Sequence, residues 1–128
     1  MALEASQRDA APPAQAAPKD EFVEGFLKHL ATERGASAYT QRNYGQALRE
    51  FARWHQDERR AAPAWAALQR DDFRGYLRFL GRHNLSRAAI QLRFSALRSF
   101  YRFLIRRAVV ETSPIKNLTL PKLAKRLP

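Results

Sequence analysis

Between positions 20 and 107, apolar residues recur every three or four residues, the period of helices that bury one side. Phe22, Phe26 and Leu30, with Val23 and Leu27 beside them, predict a first helix. Asp20 is its N-cap, Glu21 and Glu24 suit its positive end, and Gly35 closes it. Ser37 is the next cap, opening a helix that runs to about Gln56. On it Thr40, Tyr44, Ala47, Leu48, Phe51 and Trp54 share one arc, and Arg42, Gln46, Arg49 and Arg53 share the opposite one. Gly45 costs that helix ~1 kcal/mol against Ala, which a closely approaching neighbour would explain. Asp57 to Pro63 reads as a loop, after which Trp65 and Leu68 plug the core. A third helix covers Arg70 to Arg82, with Asp71 and Asp72 at its start and Phe73, Tyr76, Leu77 and Leu80 as its buried stripe. His83 to Ser86 is a tight connection, and Ser86 caps the fourth helix.

That fourth segment, Ser86 to Arg107, holds six arginines and no acid, yet is rich in Phe, Leu and Ile. A helix reconciles the two characters. Ile90, Phe94, Leu97, Tyr101 and Leu104 project within an arc of ~80°, while Arg87, Gln91, Ser95, Arg98, Arg102 and Arg106 occupy a neighbouring arc of ~100°. Arg93 and Arg107 fall off the guanidinium stripe. Leu92 and Phe103 fall off the apolar arc, which implies a second buried contact or a patch for a partner.

The two ends differ from this middle. Residues 1–18 are Ala, Pro and Gln with scattered charge, and they cannot bury enough apolar surface to offset ordering, so a flexible leader is expected. Pro114 and Pro121 forbid a long helix after Val110; a short helical turn and then an extended basic strap over residues 112–128 are expected. The strap is expected to lead into a second domain. The folded domain is then residues 19–111, all-α, with four or five helices.

Charge adds a functional direction. The net charge is +11, and it is uneven: residues 1–85 carry 13 basic and 11 acidic side chains, residues 86–128 carry 10 basic and only Glu111. A basic half of this kind points to a polyanion, nucleic acid first and an anionic membrane surface second, against the plainer reading of a solubilising surface. Arginine suits bidentate contact with phosphate or guanine. Without cysteine there are no disulfides and no thiolate metal sites. The N-terminus lacks the apolar core of a secretory signal and no apolar run is long enough to span a bilayer, so a cytoplasmic protein is expected.

Catalytic chemistry finds no support. There is no phosphate-binding glycine loop, no dinucleotide fingerprint, no zinc-protease helix motif and no nucleophile elbow. His29, His55 and His83 lack ligand spacing, so no metal and no cofactor is expected. Asp71 and Asp72 read as first-turn acids complementing a helix dipole. Tyr39, Tyr44, Tyr76 and Tyr101 have no base near them in sequence.

The segments "SRAAIQLRF" and "FSALRSFYRFL" together resemble the fourth helix of the core-binding domain of Xer-type tyrosine recombinases, nearest the XerC subgroup. "SPIKNLTLPKLAKRLP" is similar to that family's interdomain linker, and the spacing Thr40, Tyr44, Leu48, Phe51, Trp54 resembles its second helix. The likeness covers residues 20–128; the Ala/Pro leader is longer than the family usually shows. It implies a SAM-like bundle whose second and fourth helices cross at the major groove of double-stranded DNA. The implied DNA-binding positions are Thr40, Arg42, Asn43 and Arg49 on the second helix and Ser86, Arg87, Gln91, Ser95 and Arg98 on the fourth, which Arg102 extends along the stripe. Lys122, Lys125 and Arg126 would follow the DNA backbone. The resemblance further implies that the tyrosine attacking the scissile phosphate belongs to a following domain. The parent would resolve chromosome dimers at a dif-like site with a XerD-like partner, the isolated domain being a monomer. A phage or transposon integrase, a helical adaptor for an acidic protein and an RNA-binding bundle are the alternatives.

Overall fold

The structure, a computed structural model, describes residues 20–120. Four helices follow in order: α1 Glu21–Thr32, α2 Ala38–Arg59, α3 Arg70–Arg82 and α4 Arg87–Arg106. A 3-10 turn over Trp65–Ala67 lies between α2 and α3, and no strand occurs among the described residues. The all-α bundle is as expected. The leader over residues 1–18, and Lys122, Lys125 and Arg126 of the strap, lie outside the described residues.

Helix starts follow the caps. Asp20 Oδ1 accepts from the N–H groups of Phe22 (2.9 Å) and Val23 (3.2 Å), Ser37 Oγ from Thr40 (3.1 Å) and Ser86 Oγ from Ala89 (3.1 Å). Each satisfies donors that the first turn cannot. Asp72 reaches back from inside α3 to Gln69 N–H (2.8 Å). Helix ends turn through left-handed residues: Gly35, Arg60, Asn84 and Ala108 all have φ near 60°, from 59° to 61°. α2 runs to Arg59, three residues past the expected end and into the expected Asp57–Pro63 loop. Arg59 Nη2 pairs with Asp72 at 2.9 Å, which secures that last turn against α3.

α4 is the central element. It packs against α1 and α2, and α1 also packs on α2. α3 joins through rings, Tyr76 against Phe94 and Phe73 against Tyr101. A helix touched from three sides buries a wider arc than one projection suggests: Ala96, Phe100 and Phe103 are buried beside the expected Ile90, Phe94, Leu97, Tyr101 and Leu104. Phe103 makes the second contact, against Phe26 and His29 of α1. Leu92 stays 45% exposed and Phe22, expected on the buried face of α1, 44%. Tyr44 and Leu77 are only half-buried. After α4 the chain turns back through Ala108 and drops Ile115 and Leu118 into the same core.

Trp65 fills the middle as expected. Its ring meets Phe51 and, edge-on at 4.8 Å, Phe100. Its Nε1–H donates to Asp20 Oδ2 at 2.6 Å, so one carboxylate caps α1 and anchors the 3-10 turn.

Two buried phenols behave differently. Burial pushes both well above the ordinary tyrosine range; for Tyr76 the Glu50 carboxylate adds to the rise and Arg93 opposes it, and for Tyr101 Asp72 adds to it. Tyr101 Oη donates to the Trp65 carbonyl at 2.8 Å. Tyr76 Oη is buried and makes no hydrogen bond among the described residues. Tyr101→Phe leaves a buried carbonyl unpaired and should cost ~1–3 kcal/mol. Tyr76→Phe removes an unsatisfied hydroxyl and should be neutral or stabilising by up to ~1 kcal/mol. Urea unfolding of the two variants tests this opposition of sign.

Candidate nucleic-acid interface

The site begins with which cations are already spoken for. Asp72 holds Arg59, Asp71 holds Arg74 (2.9 Å), and Glu50 holds Arg93 (2.9 Å). Arg106 donates to His29 Nε2 at 3.3 Å, and Arg107 lies 4.6 Å over the Phe103 ring. Arg106 projects onto the stripe but is turned toward α1. By contrast, Arg42, Arg49, Arg87, Arg98 and Arg102 have no ion pair or hydrogen bond to any described residue. Unpaired guanidinium groups on two packed helices are a standing positive surface, which a polyanion neutralises with release of its counterions. A further basic row, Arg74, Arg78 and Arg82, runs along α3, with Arg74 held by Asp71.

On α2, Arg42 and Arg49 are exposed and Thr40 and Asn43 half-buried. Thr40 Oγ1 accepts from Ser37 Oγ at 3.1 Å. Arg49 lies back along its own helix: a Cβ built on Gly45 would stand 3.2 Å from Arg49 Nη1 and 3.3 Å from Leu27 Cδ1 of α1. The close neighbour expected at Gly45 is therefore Leu27. On α4, Ser86 is committed as the cap, Arg87 and Arg102 are exposed, and Gln91, Ser95 and Arg98 are half-buried.

The seam between the two helices holds what the helical projection did not bring forward. Arg93 Nε donates to Glu50 Oε1 at 2.9 Å and Arg93 Nη1 to the Ala89 carbonyl at 3.1 Å. Gln46 Nε2 donates to Glu50 Oε2 at 3.1 Å. One carboxylate thus ties α2 to α4, and Asn43 sits on the same face of α2, one and two turns earlier. No local signal reveals a pair 43 residues apart. The structure also brings Arg98 and Arg102 together with Glu111, Thr112, Ser113 and Lys116 around one open cavity of about 380 Å³.

The residues weighed for chemistry have structural partners. His29 Nδ1 meets Glu33 Oε1 at 3.0 Å and Nε2 meets Arg106 Nη2 at 3.3 Å, a pair of contacts that the Nδ1–H tautomer satisfies. His55 Nδ1 meets the Ala61 carbonyl (2.7 Å) and His83 Nδ1 the Phe79 carbonyl (2.9 Å). Asp71 and Asp72 hold Arg74 and Arg59. Among the described residues no helix is long and apolar enough to cross a membrane.

The family described as "Phage integrase, N-terminal SAM-like domain" matches residues 23–108. The chain is 36% identical over 107 residues to the tyrosine recombinase XerC of Shewanella amazonensis, a span of 84% of this chain and 34% of the relative. It is 37% identical to XerC of Bacillus subtilis over 107 residues (84% and 34%), and 32% identical to XerD of Oceanobacillus iheyensis over 106 residues (83% and 35%). The chain therefore spans about a third of the length of these curated relatives. No solved structure matches it.

Proposed function

We propose that this chain, which belongs to the phage integrase N-terminal SAM-like domain family, binds double-stranded DNA as the half-site-holding part of a tyrosine site-specific recombinase. The observation that carries the reading is the distribution of charge pairing. Glu50, Asp71 and Asp72 are spent on Arg93, Arg74 and Arg59, while Arg42 and Arg49 on α2 and Arg87, Arg98 and Arg102 on α4 make no ion pair among the described residues and are left for a partner. The Glu50–Arg93 bridge fixes α2 against α4, so their rows keep a constant relation to each other. Such rows place some side chains on phosphates and a few on base edges. Thr40, Asn43, Ser86, Gln91 and Ser95 supply polar contacts between the arginines, and Lys122, Lys125 and Arg126 continue along the backbone.

In the finer reading the parent recombinase is of the XerC type and acts with a XerD-like partner at a chromosomal dif-like site, cutting and rejoining strands through a catalytic tyrosine outside this chain. The identities to XerC and XerD proteins support it. A phage or transposon integrase would use the same domain on a different target.

Anisotropy titration with a labelled duplex, repeated over a salt series, tests the DNA reading. Neutralising about six phosphates gives a log–log slope near −5. Duplex RNA should compete poorly, since side chains cannot read its deep, narrow major groove. A slope near zero, as an adaptor with an apolar interface would give, or equal competition by duplex RNA, contradicts the reading.

A further inference from the structure

We propose that the cavity between the C-terminal half of α4 and the turn that follows it is a seat for one phosphate of the DNA backbone, with Lys116 and Thr112 as binding residues beside Arg98 and Arg102. This rests on the duplex-binding reading above and gives it a position. Arg98 and Arg102 stand one helical turn apart, so both guanidinium forks overhang the same hollow. Ala108, in the left-handed conformation, turns the chain back, with Val109 N–H returning to the Leu104 carbonyl at 2.9 Å. Burial of Ile115 and Leu118 then pins the turn, so Lys116 is delivered opposite the two arginines by the core itself.

The chemistry of the lining suits a phosphodiester. The side chains of Arg98, Arg102 and Lys116 make no ion pair or hydrogen bond to any described residue, and among the described residues Glu111 is the single acid on the rim. Ser113 Oγ accepts from Ile115 N–H at 3.2 Å, which leaves its own proton to donate outward, and the Thr112 hydroxyl stands exposed beside it. Two forked donors, one ammonium and two hydroxyls match an anion with several acceptor oxygens. Ile105 gives the hollow one apolar wall, against which a deoxyribose face packs. A seat built partly by a turn outside the helices fixes register on the duplex and carries no base preference.

The test is anisotropy titration of the 128-residue chain with two 30-base-pair duplexes of unrelated sequence, in a salt series, for wild type, Lys116→Ala, Lys116→Arg, Thr112→Val and Lys28→Ala. Lys116→Ala should weaken both duplexes equally, by about fivefold near 0.15 M salt, the value of one phosphate's counterion release, and should make the slope shallower by about one. Lys116→Arg should restore both, Thr112→Val should weaken binding by about twofold, and Lys28→Ala, on α1 and outside the cavity lining, should move neither quantity as much as Lys116→Ala. If wild type binds and Lys116→Ala matches it or matches Lys28→Ala, the seat is wrong and duplex binding stands. A loss confined to one duplex also overturns it, because it makes Lys116 a reader of bases. If wild type binds neither duplex, the seat and the underlying reading fall together.

Discussion

Replacing Arg87 and Arg98 together by glutamate should weaken duplex binding by about 100-fold or more at physiological salt while leaving the fold intact. Neither side chain makes an ion pair or hydrogen bond among the described residues; Arg87 is exposed and Arg98 half-buried. Loss of one arginine contact at a DNA interface costs ~1–3 kcal/mol, and each glutamate adds repulsion from the backbone. Two such positions make ~3 kcal/mol a low bound, which is about 100-fold. Arg42→Glu with Arg49→Glu on α2 should act in the same direction. The equivalent change on the α3 row, Arg74→Glu with Arg78→Glu, where Arg74 is held by Asp71, should do much less than either. Titration of the three double variants against one duplex, with circular dichroism to show that each is helical, separates a two-helix interface from a general response to net charge. Equal losses for all three would mean that only net charge is being felt.

The largest structural effect is expected at Phe51. It is fully buried, stacks on Phe73 at 5.0 Å, meets Tyr76 edge-on at 4.9 Å, and also touches Trp54 and Trp65. It is the point at which α2, α3 and the 3-10 turn share one ring. Phe51→Ala removes the ring and leaves a cavity that rigid aromatic neighbours cannot collapse into, at a cost of ~3–5 kcal/mol. Against a total of ~5–15 kcal/mol for a domain, that takes a third or more of the stability and places the variant near the edge of unfolding. Phe22→Ala, at a half-open position of α1, should stay within about 0.5 kcal/mol. Urea midpoints of the two variants measure the contrast.

Most of the fold was legible in the sequence, because it is written in local terms. Asp20, Ser37 and Ser86 mark three helix starts through hydrogen bonds spanning two or three residues. The left-handed ends at Gly35 and Asn84 use residue types that tolerate that conformation. Ala108 has the same geometry without the same signal. What escaped was set by contacts distant in sequence. The extra turn of α2 to Arg59 depends on Asp72, the wide burial of α4 depends on α1, and Trp65 Nε1 finds Asp20 45 residues away.

The candidate site divides along the same line. The unpaired rows Arg42/Arg49 and Arg87/Arg98/Arg102 follow from helical spacing alone. That Arg93 belongs to the seam and Arg106 to His29 required the assembled bundle. So did the meeting of Lys116 with Arg98, since a chain reversal at Ala108 has no periodicity to betray it.

The central claim is that one duplex is held by α2 and α4 together. Amide chemical-shift mapping of the labelled domain, titrated with a 30-base-pair duplex at low salt, addresses it most directly. Binding through both helices will move residues 40–53 of α2 and residues 86–102 of α4 along one binding curve, with the amides of α3 little changed. Shifts confined to the Arg74–Arg82 row of α3, or to α1, with α2 and α4 still, would contradict it.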